Sequence, residues 1–321
     1  MPEVILKIKN LKKYFLLKNK FLSRSPNYLK AIDGIDIDIE ERDVLGIVGE
    51  SGSGKTTIAK TILGVYHPTE GEIFFKNNKI NNLRFRERKT IQKEIQYVYQ
   101  NPGSSFDPWW IVGKSIEEPL KIHERFTNKE RVEKVNKTLT SVGLDSDHAF
   151  RYPHEFSGGQ QRRLALARVL VLNPRLIIFD EPTSGLDVSI QATILKLLKK
   201  LRSEFGLTYI FISHDLEVVH MMSNKICVLY LGKVVEFGNT EAVFAEPKHP
   251  YTKLLLASAP KIDDKKEETV PIIISEINQN EYIHGGCRFE PRCQNASDAC
   301  RNIEPPLKVL SDGRKCACHL L

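Results

Sequence analysis

The chain has 321 residues, 41% hydrophobic and 27% charged, with 47 Lys+Arg against 40 Asp+Glu and a formal net charge of +7. At roughly 100–200 residues per domain this is one large domain or two, and the composition excludes a disordered or collagen-like polymer. No stretch approaches the ~20 consecutive apolar residues of a membrane-spanning helix, and residues 1–3 lead into a strand-like alternation without the basic-then-apolar layout of a secretory leader, so the cytosolic side is the expected compartment.

Val4, Leu6 and Ile8 alternate with polar residues, as do Ile32, Ile35, Ile37 and Ile39, and both runs predict strands. Between them, residues 7–30 carry eight basic side chains (Lys7, Lys9, Lys12, Lys13, Lys18, Lys20, Arg24, Lys30) and no acid. This run reads either as a solvated loop or as a patch drawn to an anionic membrane surface or to nucleotide phosphates. No nucleic-acid partner is expected, because neither a recognised binding motif nor basic-aromatic repeats occur. Residues 44–48 (VLGIV) form a continuous apolar run, the pattern of a strand buried on both faces. A Gly-rich turn follows, and then helical spacing over 56–65. Strand and helix signals alternate again at 176–179, 190–201, 208–212 and 216–222, which predicts a mostly parallel sheet with helices on both sides. Residues 112–145 differ, reading as two polar amphipathic helices inserted without strands. Residues 261–270 (KIDDKKEETV) are charged and aperiodic, a linker by composition, so a boundary is expected near 250–260.

Residues 49–56 read GESGSGKT, which fits G-x-x-x-x-G-K-[ST] between a buried strand and a helix. Small residues let successive N–H groups converge on phosphate oxygens, and the helix start adds its positive end. Gly49, Ser51, Gly52, Ser53, Gly54, Lys55, Thr56 and Thr57 are therefore candidate nucleotide contacts, with Lys55 reaching the β/γ-phosphates and Thr56 ligating Mg²⁺. The partner motif is LIIFDE at 176–181, where four apolar residues deliver Asp180 at the carboxyl end of a strand. Asp180 would hold the Mg²⁺ shell. Glu181 would polarise a water for attack on the γ-phosphate.

Residues 156–163, FSGGQQRR, resemble the signature motif of ATP-binding-cassette (ABC) ATPases, usually LSGGQ. Flanking segments agree with the same family. Gln100 matches its Q-loop, residues 184–187 (SGLD) its D-loop, and His214 its switch histidine. Tyr14 matches the aromatic that stacks on adenine, with Tyr28 as a rival. Phe156 in place of Leu, and Arg162 where Gln is common, are departures. The resemblance implies a RecA-like P-loop NTPase core of α/β class with an antiparallel β subdomain, a helical subdomain at about 101–160, and a nucleotide-binding domain over 1–255. It also implies head-to-tail pairing with a second cassette, a related chain or a second copy. Each ATP would then sit between one chain's phosphate loop and the other's Ser157, Gly158, Gly159 and Gln160. Asp187, of the D-loop, would be one of the nucleotide-binding residues, and Gln100 would touch Mg²⁺ or the attacking water. His214 would donate to the γ-phosphate. A helix opening at Ser157 and running over 159–172 supplies the second anion site physically.

Residues 230–238 (YLGKVVEFG), 246–252 (EPKHPYT) and 101–108 (NPGSSFDP) resemble the ATP-binding subunits of dipeptide and oligopeptide importers, with nickel-importer ATPases as close cousins. The resemblance implies two permease subunits as partners, an extracytoplasmic solute-binding protein acting indirectly, and a place on the cytoplasmic face of the membrane. A soluble ABC ATPase outside transport is the other alternative. Trp109 and Trp110 either meet a permease helix or pack the insertion.

Five of the six cysteines fall in the last 35 residues (Cys287, Cys293, Cys300, Cys316, Cys318), and Cys227 lies apart in an apolar run. Four thiolates there suit tetrahedral zinc or a [4Fe–4S] cluster, and spacing alone does not separate the two. The peptide-importer group carries a similar tail, in some members with a [4Fe–4S] cluster. That resemblance implies Cys287, Cys293, Cys300 and Cys318 as ligands, leaving Cys316 aside, in a Cys-rich extension over 256–321. Such a centre would staple a short tail structurally or sense redox state.

Overall fold

The computed structural model describes residues 3–17, 27–100, 102–258 and 285–321. The linker expected at 261–270, Asn101, and Lys18, Lys20 and Arg24 of the basic run lie outside them.

The strands in chain order are β1 (Val4–Leu17), β2 (Asn27–Glu40), β3 (Val44–Val48), β4 (Glu70–Phe75), β5 (Asn78–Lys79), β6 (Ile95–Val98), β7 (Leu176–Asp180), β8 (Thr208–Ile212), β9 (Lys225–Tyr230), β10 (Lys233–Asn239), β11 (Lys308–Val309) and β12 (Lys315–Cys316). The helices are α1 (Lys55–Ile62), α2 (Phe85–Glu94), α3 (Val112–His123), α4 (Asn128–Ser141), α5 (Gly158–Leu170), α6 (Val188–Phe205), α7 (Leu216–Met222), α8 (Thr240–Ala245), α9 (Pro250–Ala257) and α10 (Asp298–Asn302). The described residues divide into two compact units.

The first unit comprises 1–3, 40–44 and 82–212. Its strands β6, β7 and β8 are parallel neighbours, with Ile95 opposite Leu176 and Leu176 opposite Thr208. Every residue of β7 and β8 is buried, so the strands read as unbroken apolar runs, as two-sided coverage requires. Helices α3 and α4 match the two polar amphipathic segments, burying Val112, Ser115, Ile116 and Leu120 from one and Val135 and Leu139 from the other. The capping box of Thr127 and Glu130 starts α4.

The second unit comprises 4–39, 45–81 and 213–321. It holds a sheet of order β2-β1-β4-β5, in which β1–β4 and β4–β5 are antiparallel. The β4–β5 hairpin is a tight turn through Lys76 (φ 47°) and Asn77 (φ 63°). Its strands are too short and mixed to show a period, which is why it escapes a reading of the sequence. Strand β3 pairs in parallel with β9, and β9 pairs antiparallel with β10.

The tail joins this unit through β12, which places Cys316 opposite Glu236 on β10. Glu236 is 0% exposed, and its carboxylate accepts from the backbone N–H of Lys248 at 2.9 Å and of His249 at 2.9 Å. Arg314, 3% exposed, lies 3.8 Å from that carboxylate and donates to the carbonyls of Ala242 at 2.8 Å and Glu246 at 2.7 Å. A buried charge pair is tolerable only with such additional hydrogen bonds.

Candidate functional site

In the second unit, β3 ends at Val48 and the chain turns through residues 49–54 into α1. Gly54 is the N-cap of α1 in a left-handed conformation (φ 108°), and a Cβ there would lie 2.3 Å from the Ala31 carbonyl oxygen. Gly49 is as constrained, since a Cβ would stand 2.2 Å from the Leu229 oxygen. Only glycine permits these approaches. Lys55, 8% exposed, donates from Nζ to the carbonyls of Gly49 at 2.7 Å and Glu50 at 2.9 Å. The Ser53 hydroxyl is buried without a hydrogen-bond partner among the described residues. Ser51 and Gly52 are exposed, and Thr56 and Thr57 are half-buried in the first turn of α1. A cationic amine, an unsatisfied hydroxyl and a helix N-terminus on one turn form a surface chemically suited to a polyanion.

Tyr14, on β1, is half-buried, and its hydroxyl donates to Asp33. Burial works to raise the Asp33 pKa, yet the Tyr14 hydroxyl together with Arg288, Lys233 and Lys30 outweighs it and holds the carboxyl below its ordinary range. The rival Tyr28 is 51% exposed. His214 is exposed two residues past β8, just before Asp215, whose side chain caps α7 by accepting from Val218 N at 3.2 Å.

In the first unit, β7 delivers Asp180, 7% exposed, to its carboxyl end, where Tyr97 from β6 donates its hydroxyl to the Asp180 carboxylate at 2.6 Å. Glu181 follows in a left-handed conformation (φ 50°), unusual for a residue with a Cβ, and its carboxylate accepts from Gln100 Nε2 at 2.6 Å. Two sequence-predicted residues 81 positions apart are thus brought into contact. Ser157 is the N-cap of α5, its hydroxyl accepting from Gln160 N at 3.4 Å while the Gln160 side chain accepts from Ser157 N at 3.0 Å. Ser157 and Gly158 are exposed, and a Cβ at Gly158 would meet nothing within 4 Å, so the N-terminus of α5 stands open among the described residues. Asp187 caps α6, accepting from Ile190 N at 2.9 Å.

Phe156, in place of leucine, is buried (6% exposed) with its ring 5.4 Å from that of His148, so the departure serves packing. Arg162 donates to the Ser184 carbonyl, tying α5 to the segment before Asp187, and burial lowers its pKa. Neither that tether nor Tyr97 was legible in sequence, since nothing in the spacing points an arginine or a tyrosine at a distant partner.

All six cysteines are free thiols. Burial pushes Cys287 up to about 11 and raises Cys293, and each of the two also feels Cys300 and Cys318 electrostatically. Cys316 is raised to about 12 by burial first and then by Glu236 and Cys318. The expected four-thiolate centre is not assembled: among the described residues no group of three or more His, Cys, Asp or Glu side chains is arranged to hold a metal ion.

Comparison with known proteins matches residues 32–184 to the ABC transporter family and residues 235–300 to the oligopeptide/dipeptide transporter C-terminal region. The oligopeptide transport ATP-binding protein AppF of Bacillus subtilis is 43% identical over 99% of this chain and 98% of its own length. The dipeptide transport ATP-binding protein DppF of Haemophilus influenzae is 41% identical over 96% of this chain and 94% of its own length. Among solved structures, the ATP-binding cassette MJ0796, a dimer in a post-hydrolysis state bound to ADP and Pi, superimposes with a TM-score of 0.65 at 32% identity, covering 73% of this chain and 98% of that one. The fold is accordingly that of a P-loop ABC ATPase. No described helix is long and apolar enough to cross a membrane. With a near full-length match and this loop, strand and helix arrangement, the chain belongs to the ABC transporter ATP-binding proteins of the oligopeptide/dipeptide type.

Proposed function

We propose that this chain is the ATP-hydrolysing subunit of an importer of dipeptides or oligopeptides. The observation that carries it is the coexistence of two incomplete anion sites, the loop 49–56 and the open N-terminus of α5 at Ser157, in a chain similar over nearly its whole length to peptide-transport ATP-binding proteins. Head-to-tail closure with a second cassette, this chain's own copy or a related one, completes each site. Residues 1–255 serve as the nucleotide-binding domain, with a helical subdomain at about 101–160, and 256–321 as the peptide-importer extension. Two permease subunits dock the pair at the cytoplasmic face of the membrane, and an extracytoplasmic solute-binding protein delivers the peptide.

In this reading the backbone of 49–54, Lys55 and Thr57 hold the triphosphate while Tyr14 stacks on adenine. The family resemblance gives Thr56, Gln100 and Asp180 as the residues whose oxygens would hold Mg²⁺, which would supply neutralisation of phosphate charge. Glu181 takes the proton of the attacking water, oriented by Gln100. His214 and the partner cassette's signature helix donate to charge developing on the γ-phosphoryl group.

The test is reconstitution with the neighbouring permeases and solute-binding protein. Peptide-stimulated ATP hydrolysis and peptide uptake are expected, and stimulation by Ni²⁺ alone would overturn the substrate class.

The reading of Cys287, Cys293, Cys300 and Cys318 as ligands of a [4Fe–4S] cluster, or of zinc, rests on the resemblance of this tail to that of the peptide-importer group, and is supported by the electrostatic influence of Cys300 and Cys318 on Cys287 and Cys293. The thiols as placed do not form such a site. Iron, sulfide and zinc analysis of anaerobically purified protein decides it, and protein free of all three would end it.

A further inference from the structure

The cysteine-bearing tail reaches the nucleotide elements through two arginines. Arg292 donates from Nη1 and Nη2 to the two carboxylate oxygens of Glu50 at 2.9 and 3.0 Å, a bidentate fork within the second unit. Glu50 belongs to the phosphate loop. Its backbone N–H donates to the Tyr251 hydroxyl at 2.9 Å, and its carbonyl accepts from Lys55 Nζ at 2.9 Å. Arg292 is 12% exposed in its side chain, and its Nη1 also donates to the Tyr230 hydroxyl at 3.4 Å. Four positions earlier, Arg288 donates to Asp33 and to the Leu231 carbonyl, and Asp33 is the acceptor of the Tyr14 hydroxyl. One short segment, 287–293, therefore touches both the phosphate loop at Glu50 and β2 at Asp33, the acceptor of the Tyr14 hydroxyl from β1.

Charge decides what this does. ATP brings several negative charges to residues 49–56, where a bare Glu50 carboxylate would repel them. The Arg292 fork cancels that charge and fixes the carboxylate's orientation, a geometry that lysine, a point charge, does not reproduce. We propose that Arg292 is a positioning residue for ATP: it holds and neutralises Glu50 so that the phosphate loop accepts the triphosphate, with Arg288 doing the same for Asp33 behind Tyr14. The tail is then part of the ATP-binding apparatus of its own chain. This rests on the reading of 49–56 as the triphosphate site.

The test measures fluorescent-ATP affinity and steady-state ATPase kinetics on the full chain, with thermal unfolding as a check on folding. Arg292→Gln should raise the Kd and KM for ATP about tenfold, the scale of one charge-assisted hydrogen-bonded pair, with kcat changed less than about twofold. Arg292→Lys should fall between. Glu50→Gln alone, which leaves the Arg292 charge beside the loop, should lower the KM, and Glu50→Gln combined with Arg292→Gln should return it to within about twofold of the parent. An unchanged KM in Arg292→Gln overturns the proposal. So does a double variant as weak as the single, or a KM that is not lowered in Glu50→Gln, which also serves if Arg292→Gln fails to fold. Lys55→Ala separates the two failures, because normal ATP binding in that variant would instead overturn the phosphate-loop reading.

Discussion

Replacing Glu181 by glutamine removes the proposed base without removing its place in the structure. The Glu181 carboxylate accepts from Gln100 Nε2 at 2.6 Å, and a glutamine amide can present its carbonyl oxygen to the same donor. What is lost is the charge-assisted part of one half-exposed hydrogen bond, about 1 kcal/mol, which lowers the melting temperature by about 2–4 °C. The chemistry suffers far more. An amide cannot accept the proton of the attacking water, and general-base catalysis is worth about 10²–10⁴-fold, or about 3–5 kcal/mol of barrier. Binding should move the other way, since on the proposed reading one negative charge beside the γ-phosphate is gone. Single-turnover phosphate release, ATP affinity and size-exclusion chromatography with ATP check these expectations together. Hydrolysis at least 10²-fold slower, affinity preserved or tightened, and an ATP-dependent dimer are expected. A variant hydrolysing within about threefold of the parent would refute both the base assignment and the role given to the contact with Gln100.

Lys55→Ala removes the donor that Gly49 and Glu50 share as well as the counter-charge proposed for the phosphates, so ATP affinity should fall about ten- to hundredfold, read by fluorescent-nucleotide titration. Glu236→Leu orphans two buried backbone N–H groups and leaves Arg314 without its buried partner, so urea unfolding should show a loss of about 4 kcal/mol or more, with Glu236→Gln markedly milder. His249 is 1% exposed, and burial depresses its pKa from 6.5 to about 4. The unfolded chain therefore binds an extra proton between those values, so stability is full above pH 6.5 and falls as pH drops toward 4. His249→Asn, which keeps an acceptor for the helix start, should flatten that fall in denaturation at pH 7.5 and 5.5.

What the sequence determined is local. The strand–loop–helix run at 44–62, the apolar strands ending at Asp180 and Ile212, the two inserted amphipathic helices, and the Ser157–Gln160 start of α5 all appear where spacing places them. Backbone sterics, helix and strand periods and capping bonds act between residues only a few positions apart, so consecutive letters carry them. The contacts that organise the site are otherwise: Tyr97 meets Asp180 across 83 positions, Tyr251 meets Glu50 across 201, Arg292 meets Glu50 across 242, and Arg288 meets Asp33 across 255. No period encodes which arginine will find which carboxylate. That choice depends on the path of the whole chain, above all on the pairing of β12 with β10 and on the bonds from Glu236 that seat the tail. The cysteines show the same division. Their spacing suggests a ligand set, while burial, which only the tertiary structure confers, raises the Cys287 thiol, and among the described residues no group of three or more ligating side chains is arranged to hold a metal ion.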